Sequence, residues 1–402
     1  MKKPFKLITL SDIHIAHQPL EQIQKEFFDE EEGFLAKVIQ VAKQCQKEKV
    51  KFLGVAITGD LFDHQVSLNS NYAKFAMDLI HTLARVVINE FGGNIIILKG
   101  TRSHDLDQIM IFEPFTLEFE DSFFIANTLS YIELEGYDIL LIPEEYMKNQ
   151  NEYYQEAFEN QYDLILAHGF LKFNCFNKNE VERSMPEMPI FDQEELINVA
   201  RLSIFGHDHV YKSYRGQIYY NGSYSRLCHG EEDDKGALLI TMDSKKHKVE
   251  RLINTLAPNY KAVTLEKLVK GDLNFESAVK AIKKLKENTD FLKIKIGIDT
   301  VKSNPTLVNL INNKFNTQYK KLGIVIEAPA FNIRDGKLIL LSENEELKEK
   351  NEDNIDVKYN FLFDNKLTLE EKILEFVKTK HPETDLTDFN IDSIRDAIGK
   401  EN

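Results

Sequence analysis

Residues 202–209 read Leu202-Ser203-Ile204-Phe205-Gly206-His207-Asp208-His209, an apolar run that ends in a glycine and two histidines at i and i+2. Such a pair directly after a strand rarely serves packing, and it points to ligation or proton transfer. The same layout recurs upstream. Asp12 and His14 follow the run Phe5–Leu10, Gly59-Asp60 opens the string GDLFDH after residues 50–58, GTRSHD (100–105) follows Asn94–Leu98, and His168 follows residues 164–167. Loops at the carboxyl ends of strands in α/β sheets converge on one crevice, so these five strings are expected to share a site.

Around them the chain alternates β-branched runs with helical periodicity. Phe5–Leu10, 50–58 and Asn94–Leu98 read as strands, and 20–47 and 71–91 as mostly helical, a βαβα order that predicts a layered α/β sheet. Strands then dominate, at 122–126, Ser130–Leu134, 139–142, 164–167, 202–205, 217–220 and 237–241, which predicts a second, more antiparallel sheet packed on the first. Pro258 and Asn259 mark a boundary. The expected organisation is a site-bearing domain over 1–257, a small α/β cap over 258–342, and a charged linker with C-terminal helices over 343–402. The last part starts its helices at the capping-box pair Thr368 and Glu371.

Composition narrows the chemistry. The 402 residues carry 50 Lys+Arg against 65 Asp+Glu, a net charge of −15, which argues against coating nucleic acid by overall positive charge. Cys45, Cys175 and Cys228 lie far apart, so neither a disulfide framework nor a cysteine zinc module is expected, and a reducing cytoplasm fits. No apolar run is long enough for a membrane span. What remains is a chain with 11 histidines, five of which (14, 104, 168, 207 and 209) stand at strand ends as candidate site residues. Imidazole and carboxylate together suit Mn, Fe or Zn. The candidate ligands are too many for one ion but suit two ions that share a carboxylate. Two ions about 3.5–4 Å apart acidify water and offset charge on a phosphoryl group, which points to phosphoester hydrolysis.

The order D-x-H, G-D-x-x-D, H-D, A-H-G and G-x-H resembles the calcineurin-like metallophosphoesterase superfamily. Within it, GDLFDH and the tail NGSYSRLCHGEEDDKGALLI resemble the SbcD-type double-strand-break repair nucleases, over roughly residues 5–255. The resemblance implies an α/β/β/α two-sheet sandwich, a DNA-facing cap, and two divalent ions, with manganese the expected activator. Asp12, His14 and His209 would hold one ion, Asp60 would bridge, and His168 and His207 would hold the second. His104 would protonate the leaving oxygen, with Asp105 orienting it. It further implies DNA as substrate, a homodimer, and a coiled-coil ATPase partner resembling SbcC docked by the C-terminal helices. Where the family writes G-N-H-D or G-N-H-E, two residues are inserted here, so the amide ligand gives way to Ser103 or Thr101. His17, His64 and Arg102 are candidate substrate contacts, Asp63 a support for a ligand histidine, and the lysines at 280, 283, 284, 286, 293 and 295 a basic cap surface. Two rival expectations stand beside the nuclease: an esterase for a small phosphomonoester or cyclic nucleotide, and a non-catalytic scaffold.

Overall fold

The computed structural model describes residues 2–147, 149–172, 187–269, 271–318, 323–329, 331–334 and 337–340. They fall into two compact units, Met1–Ala262 with Leu285–Leu292, and Val263–Lys284 with the described residues from Lys293 on. The C-terminal segment 343–402, with its expected linker and helices, lies outside the described residues.

The first unit contains β1 (Phe5–Leu10), β2 (Lys51–Thr58), β3 (Asn94–Leu98), β4 (Phe123–Ala126), β5 (Ser130–Leu134), β6 (Tyr137–Ile142), β7 (Tyr162–His168), β8 (Phe170–Leu171), β9 (Ile190–Phe191), β10 (Ala200–Gly206), β11 (Lys212–Tyr214), β12 (Ile218–Tyr220), β13 (Gly236–Met242) and β14 (His247–Ile253). Two six-stranded sheets form, ordered β14-β13-β1-β2-β3-β4 and β11-β12-β10-β7-β6-β5. Strand periodicity sorts their side chains. Leu7, Ile96, Leu98, Leu164, Leu166, Leu202 and Ile204 form one cluster between the sheets. Their neighbours Ile8, Ile57, Ile95 and Ile97 pack outward on Phe27, Val38 and Leu79 of the helices Leu20–Phe28, Phe34–Glu48 and Asn71–Ala84. On the other side Ile165, Ala167 and Phe205 pack on Tyr154 and Leu196 of the helices Gln150–Phe158 and Gln193–Val199. The result is a four-layer α/β/β/α sandwich with helices on both outer faces.

β2 departs from strict alternation. Lys6 pairs with Phe52 but Leu7 pairs with Gly54, so Leu53 is an extra residue and both Leu53 and Ala56 reach the inter-sheet cluster. Gly54 makes this possible, since its φ is +132° and a Cβ there would stand 1.9 Å from the Asn94 carbonyl oxygen.

Four sequence expectations change. The helical stretch 20–47 is two helices, because the Asp29 carboxylate accepts from Glu31 N and Glu32 N and turns the chain before Phe34. The second sheet is largely parallel at its centre, through β6-β7, β7-β10 and β10-β12. Strands β4 and β13 leave that sheet for the first, β4 pairing parallel with β3 and β13 antiparallel with β1. β14, hidden by the Lys-rich string around His247, covers β13 as an edge strand with no fully buried residue.

The helix Phe275–Lys286, which belongs to the second unit as far as Lys284, buries Ala278 and Ile282 and exposes Lys280, Lys283 and Lys284. The helix Pro305–Gln318 buries Leu307, Val308, Ile311 and Phe315. Lys293 pairs with Glu327 at 3.3 Å, and the Ile296 amide donates to the Glu327 carbonyl at 2.8 Å. Among the described residues no helix is long and apolar enough to cross a membrane.

Candidate metal centre

The ends of β1, β2 and β3 from one sheet meet the ends of β6, β7 and β10 from the other. Asp12 N donates to the Gly59 carbonyl and His14 N to the Asp60 carbonyl, both at 3.1 Å, so the first two strand-end loops run side by side. The His207 amide donates to the Asp12 carboxylate at 3.1–3.2 Å, which joins the β10 end to them. This closeness depends on Gly206, where a Cβ would stand 2.0 Å from Ser11 Oγ and 2.1 Å from the Thr58 carbonyl oxygen. Asp12, His14, Asp60 and His207 all adopt positive φ, at 51°, 51°, 51° and 97°. Left-handed backbone is uncommon in residues other than glycine and concentrates at functional sites, where surrounding bonds hold the strain.

Two donor clusters result. In the first, His14 Nε2 lies 3.2 Å from His209 Nε2, and His209 Nε2 lies 3.8 Å from Asp12 Oδ1. In the second, His168 Nε2 lies 3.4 Å from Asp60 Oδ2, and His207 belongs to the same cluster. Asp60 Oδ2 is also 4.0 Å from His14 Nε2 and therefore stands between the two. The ring orientations are set from behind. His168 Nδ1 donates to the Thr58 carbonyl at 2.7 Å, which turns Nε2 toward Asp60. His209 Nδ1 faces Glu231 Oε1 at 3.4 Å, which leaves its Nε2 for the centre.

Sequence reasoning missed Glu144, which follows β6. Its carboxylate is 1% exposed, and Oε2 lies 3.1 Å from His207 Nδ1 and 3.5 Å from His168 Nε2. Asp12, Asp60 and Glu144 are thus three buried carboxylates, and among the described residues no lysine or arginine pairs with any of them. Buried carboxylates need a cation or a close set of donors. Burial alone would lower the His168 pKa, but Asp60, Asp12 and Glu144 outweigh it and raise it well above the usual imidazole value. Excess negative charge and close imidazole and carboxylate donors together fit divalent cations, which would displace the His168 proton.

The inserted third motif reads differently from expectation. Ser103 is exposed on the turn after Thr101, because the two added residues carry it away from the strand end. Thr101, next to Gly100, faces the second cluster instead, with its hydroxyl 3.0 Å from Asp60 Oδ2. Asp105 does not orient the His104 ring. Its fully buried carboxylate accepts from Phe62 N at 3.0 Å and Gly100 N at 2.8 Å, which ties the β2 loop to the β3 end. Burial, with Asp60 nearby, pushes the Asp105 carboxyl up to about 7. His104 is positioned by the Asp63 carbonyl, which accepts from its Nδ1, and by the His14 ring, on which it stands edge-on at 4.6 Å.

The candidate substrate contacts divide. Both ring nitrogens of His17 are engaged, Nδ1 with Asp63 at 3.0 Å and Nε2 with the Leu227 carbonyl at 2.6 Å, so His17 braces loops. His64 is exposed and meets Asp63 Oδ2 at 3.0 Å. Asp63 also lies 3.5 Å from His14 Nδ1, and the histidines hold its carboxyl well below the usual range, His14 foremost. Arg102 is exposed and lines a pocket of about 390 Å³ with Lys99, Leu106, Tyr146 and Glu144.

The Gly-Glu…Lys-Gly segment of the tail acquires a physical role here. Lys235, 1% exposed, donates to the His209 carbonyl at 2.8 Å and pairs with Glu231 and Asp233 at 3.2 Å. Lys235 grips the His209 backbone while Glu231 faces the ring.

The fold and site define a class: a two-sheet α/β sandwich with a histidine and carboxylate centre at its converging strand ends. No family model matches the chain, and no curated protein does. Among solved structures it is similar to an archaeal phosphodiesterase, at 13% identity and a TM-score of 0.28 over 61% of this chain and 99% of that one. It is also similar to a protein of unknown function from Aquifex aeolicus, at 15% identity and a TM-score of 0.19 over 53% of this chain and 83% of that one. Likeness at these scores carries nothing about activity, so the donor geometry has to carry the functional reading.

Proposed function

We propose that this chain is a metal-dependent phosphoesterase of the SbcD-type nuclease kind, hydrolysing DNA phosphodiester bonds with manganese as its activating ion. The observation that carries the reading is Asp60, a buried carboxylate between two clusters of histidine and carboxylate donors. Bound divalent ions would acidify a water and offset charge developing on phosphorus. Asp12, His14 and His209 would hold one ion, and Asp60, His168 and His207 the other. His104 supplies the proton that the leaving sugar oxygen needs. Its Nδ1 is committed to the Asp63 carbonyl, so Nε2 is the atom that exchanges the proton. Asp63 holds the His14 and His17 side while Glu231 and Lys235 hold His209, and the donors are therefore fixed before substrate arrives.

A homodimer and a coiled-coil ATPase partner resembling SbcC belong to the same proposal. The test incubates the protein with linear duplex DNA, a hairpin and a chromogenic phosphomonoester, with Mn²⁺, Mg²⁺ or chelator. Mn²⁺-dependent DNA degradation that is lost in His104→Ala and Asp60→Ala supports the reading. Cleavage of the small ester alone sinks it in favour of a small-molecule esterase, and failure to bind metal favours a scaffold.

A further inference from the structure

We infer that Glu144 is a direct ligand of the second ion, and that with the Thr101 hydroxyl it replaces the amide that the third motif lacks. The inference rests on the metal-dependent reading above and deepens it. Thr101 Oγ1 lies 3.0 Å from Asp60 Oδ2, 3.3 Å from His207 Nδ1, 3.4 Å from His168 Nε2 and 3.5 Å from Glu144 Oε2. Around that hydroxyl the other four donors also stand close to one another. His168 lies 3.4 Å from Asp60 and 3.5 Å from Glu144, and Glu144 lies 3.1 Å from His207. Asp60 and His207 belong with His168 to one donor cluster.

Donors about 2.1 Å from an octahedral ion stand about 3.0 Å from each cis neighbour. Every donor in an octahedron has four cis neighbours and one trans. The four separations of 3.0–3.5 Å from the Thr101 hydroxyl are those of cis neighbours, so Thr101, Asp60, His168, Glu144 and His207 would fit around one ion.

The Glu144 side chain is prepared for this role. Its amide donates to the Lys99 carbonyl at 3.1 Å, which pins the β6 end to the β3 end, and Tyr146 donates its hydroxyl to Oε1. Only Oε2 is directed at the histidines, as a monodentate ligand requires. The inserted motif therefore does not leave a depleted second site. A carboxylate and a hydroxyl take the place of one amide, and the added oxygens beside two imidazoles shift the set toward Mn²⁺.

The experiment counts Mn²⁺ bound to the full chain by equilibrium dialysis, in wild type, Glu144→Gln and Thr101→Val, with thermal melting in chelator to check the fold. Wild type is expected to bind two equivalents. Glu144→Gln should keep the first at wild-type affinity and weaken the second by at least about 10- to 100-fold. A purely structural role for Glu144 would not spare one ion and lose the other. Should Glu144→Gln fail to fold, Thr101→Val, of nearly equal volume, must show the same selective loss. A folded variant that binds both ions as wild type does overturns the inference and leaves the phosphoesterase reading intact. No Mn²⁺ bound by wild type overturns both.

Discussion

Glu26 offers a quantitative test of the packing behind the site. Its carboxylate is 1% exposed in the helix Leu20–Phe28 and accepts from Gln22 Nε2 at 2.8 Å, Ser225 Oγ at 3.0 Å and Asn254 Nδ2 at 2.7 Å. These bonds anchor the turn that follows Gly222-Ser223. Burial wins over the three bonds and pushes the carboxyl from 4.5 up to about 7. Between those values the folded chain keeps a proton that the unfolded chain has released. Stability should therefore be fully present below pH 4.5 and decline as pH rises toward 7. The slope from this group is about 1.4 kcal/mol per pH unit, and the whole loss is about 3 kcal/mol. Urea unfolding of the metal-free protein from pH 5 to 8.5 measures it, with Glu26→Gln as the reference that cannot titrate. The wild-type stability minus that of Glu26→Gln should fall steadily and level off above pH 7. Parallel curves would refute the argument and mean that the three hydrogen bonds keep Glu26 charged at no cost.

Three further outcomes are expected. His104→Ala should leave metal stoichiometry and melting unchanged while lowering kcat about 10²- to 10⁴-fold, read from steady-state cleavage. Asp105→Ala strands the Phe62 and Gly100 amides and should cost about 3 kcal/mol in denaturant titrations, although the His104 ring has no bond to it. Lys235→Met leaves Glu231 without its buried cation, so it should destabilise by about 3–5 kcal/mol and also weaken the first ion through His209, measured by denaturation and metal titration.

Much of the scaffold was legible because its signals are local. β1, β3 and β5 have the bounds that periodicity predicts, since each is an apolar or alternating run between turn residues. The partnership of β13 with β1 was not legible, because strand pairing between residues 5 and 242 leaves no trace in either run. β14 was missed because an edge strand buries little and its lysines resemble a turn. At the site, the strand-end histidines and aspartates stand out by residue type. Glu144 does not, since Pro143-Glu144-Glu145 reads as an ordinary polar loop until β6 is laid beside β7.

The sequence by itself determined that histidines and carboxylates sit at the ends of apolar strands in an α/β chain, because a strand's alternation and its terminating residues are written in neighbouring positions. Tertiary structure alone decided which of them meet. Thr101 rather than Ser103 faces the second cluster, Asp105 bonds backbone rather than His104, and Glu144 joins His168 and His207. Each of these outcomes turns on distances of a few ångströms between strand ends that are far apart in sequence, and those distances are set by how the strands pair and the sheets pack.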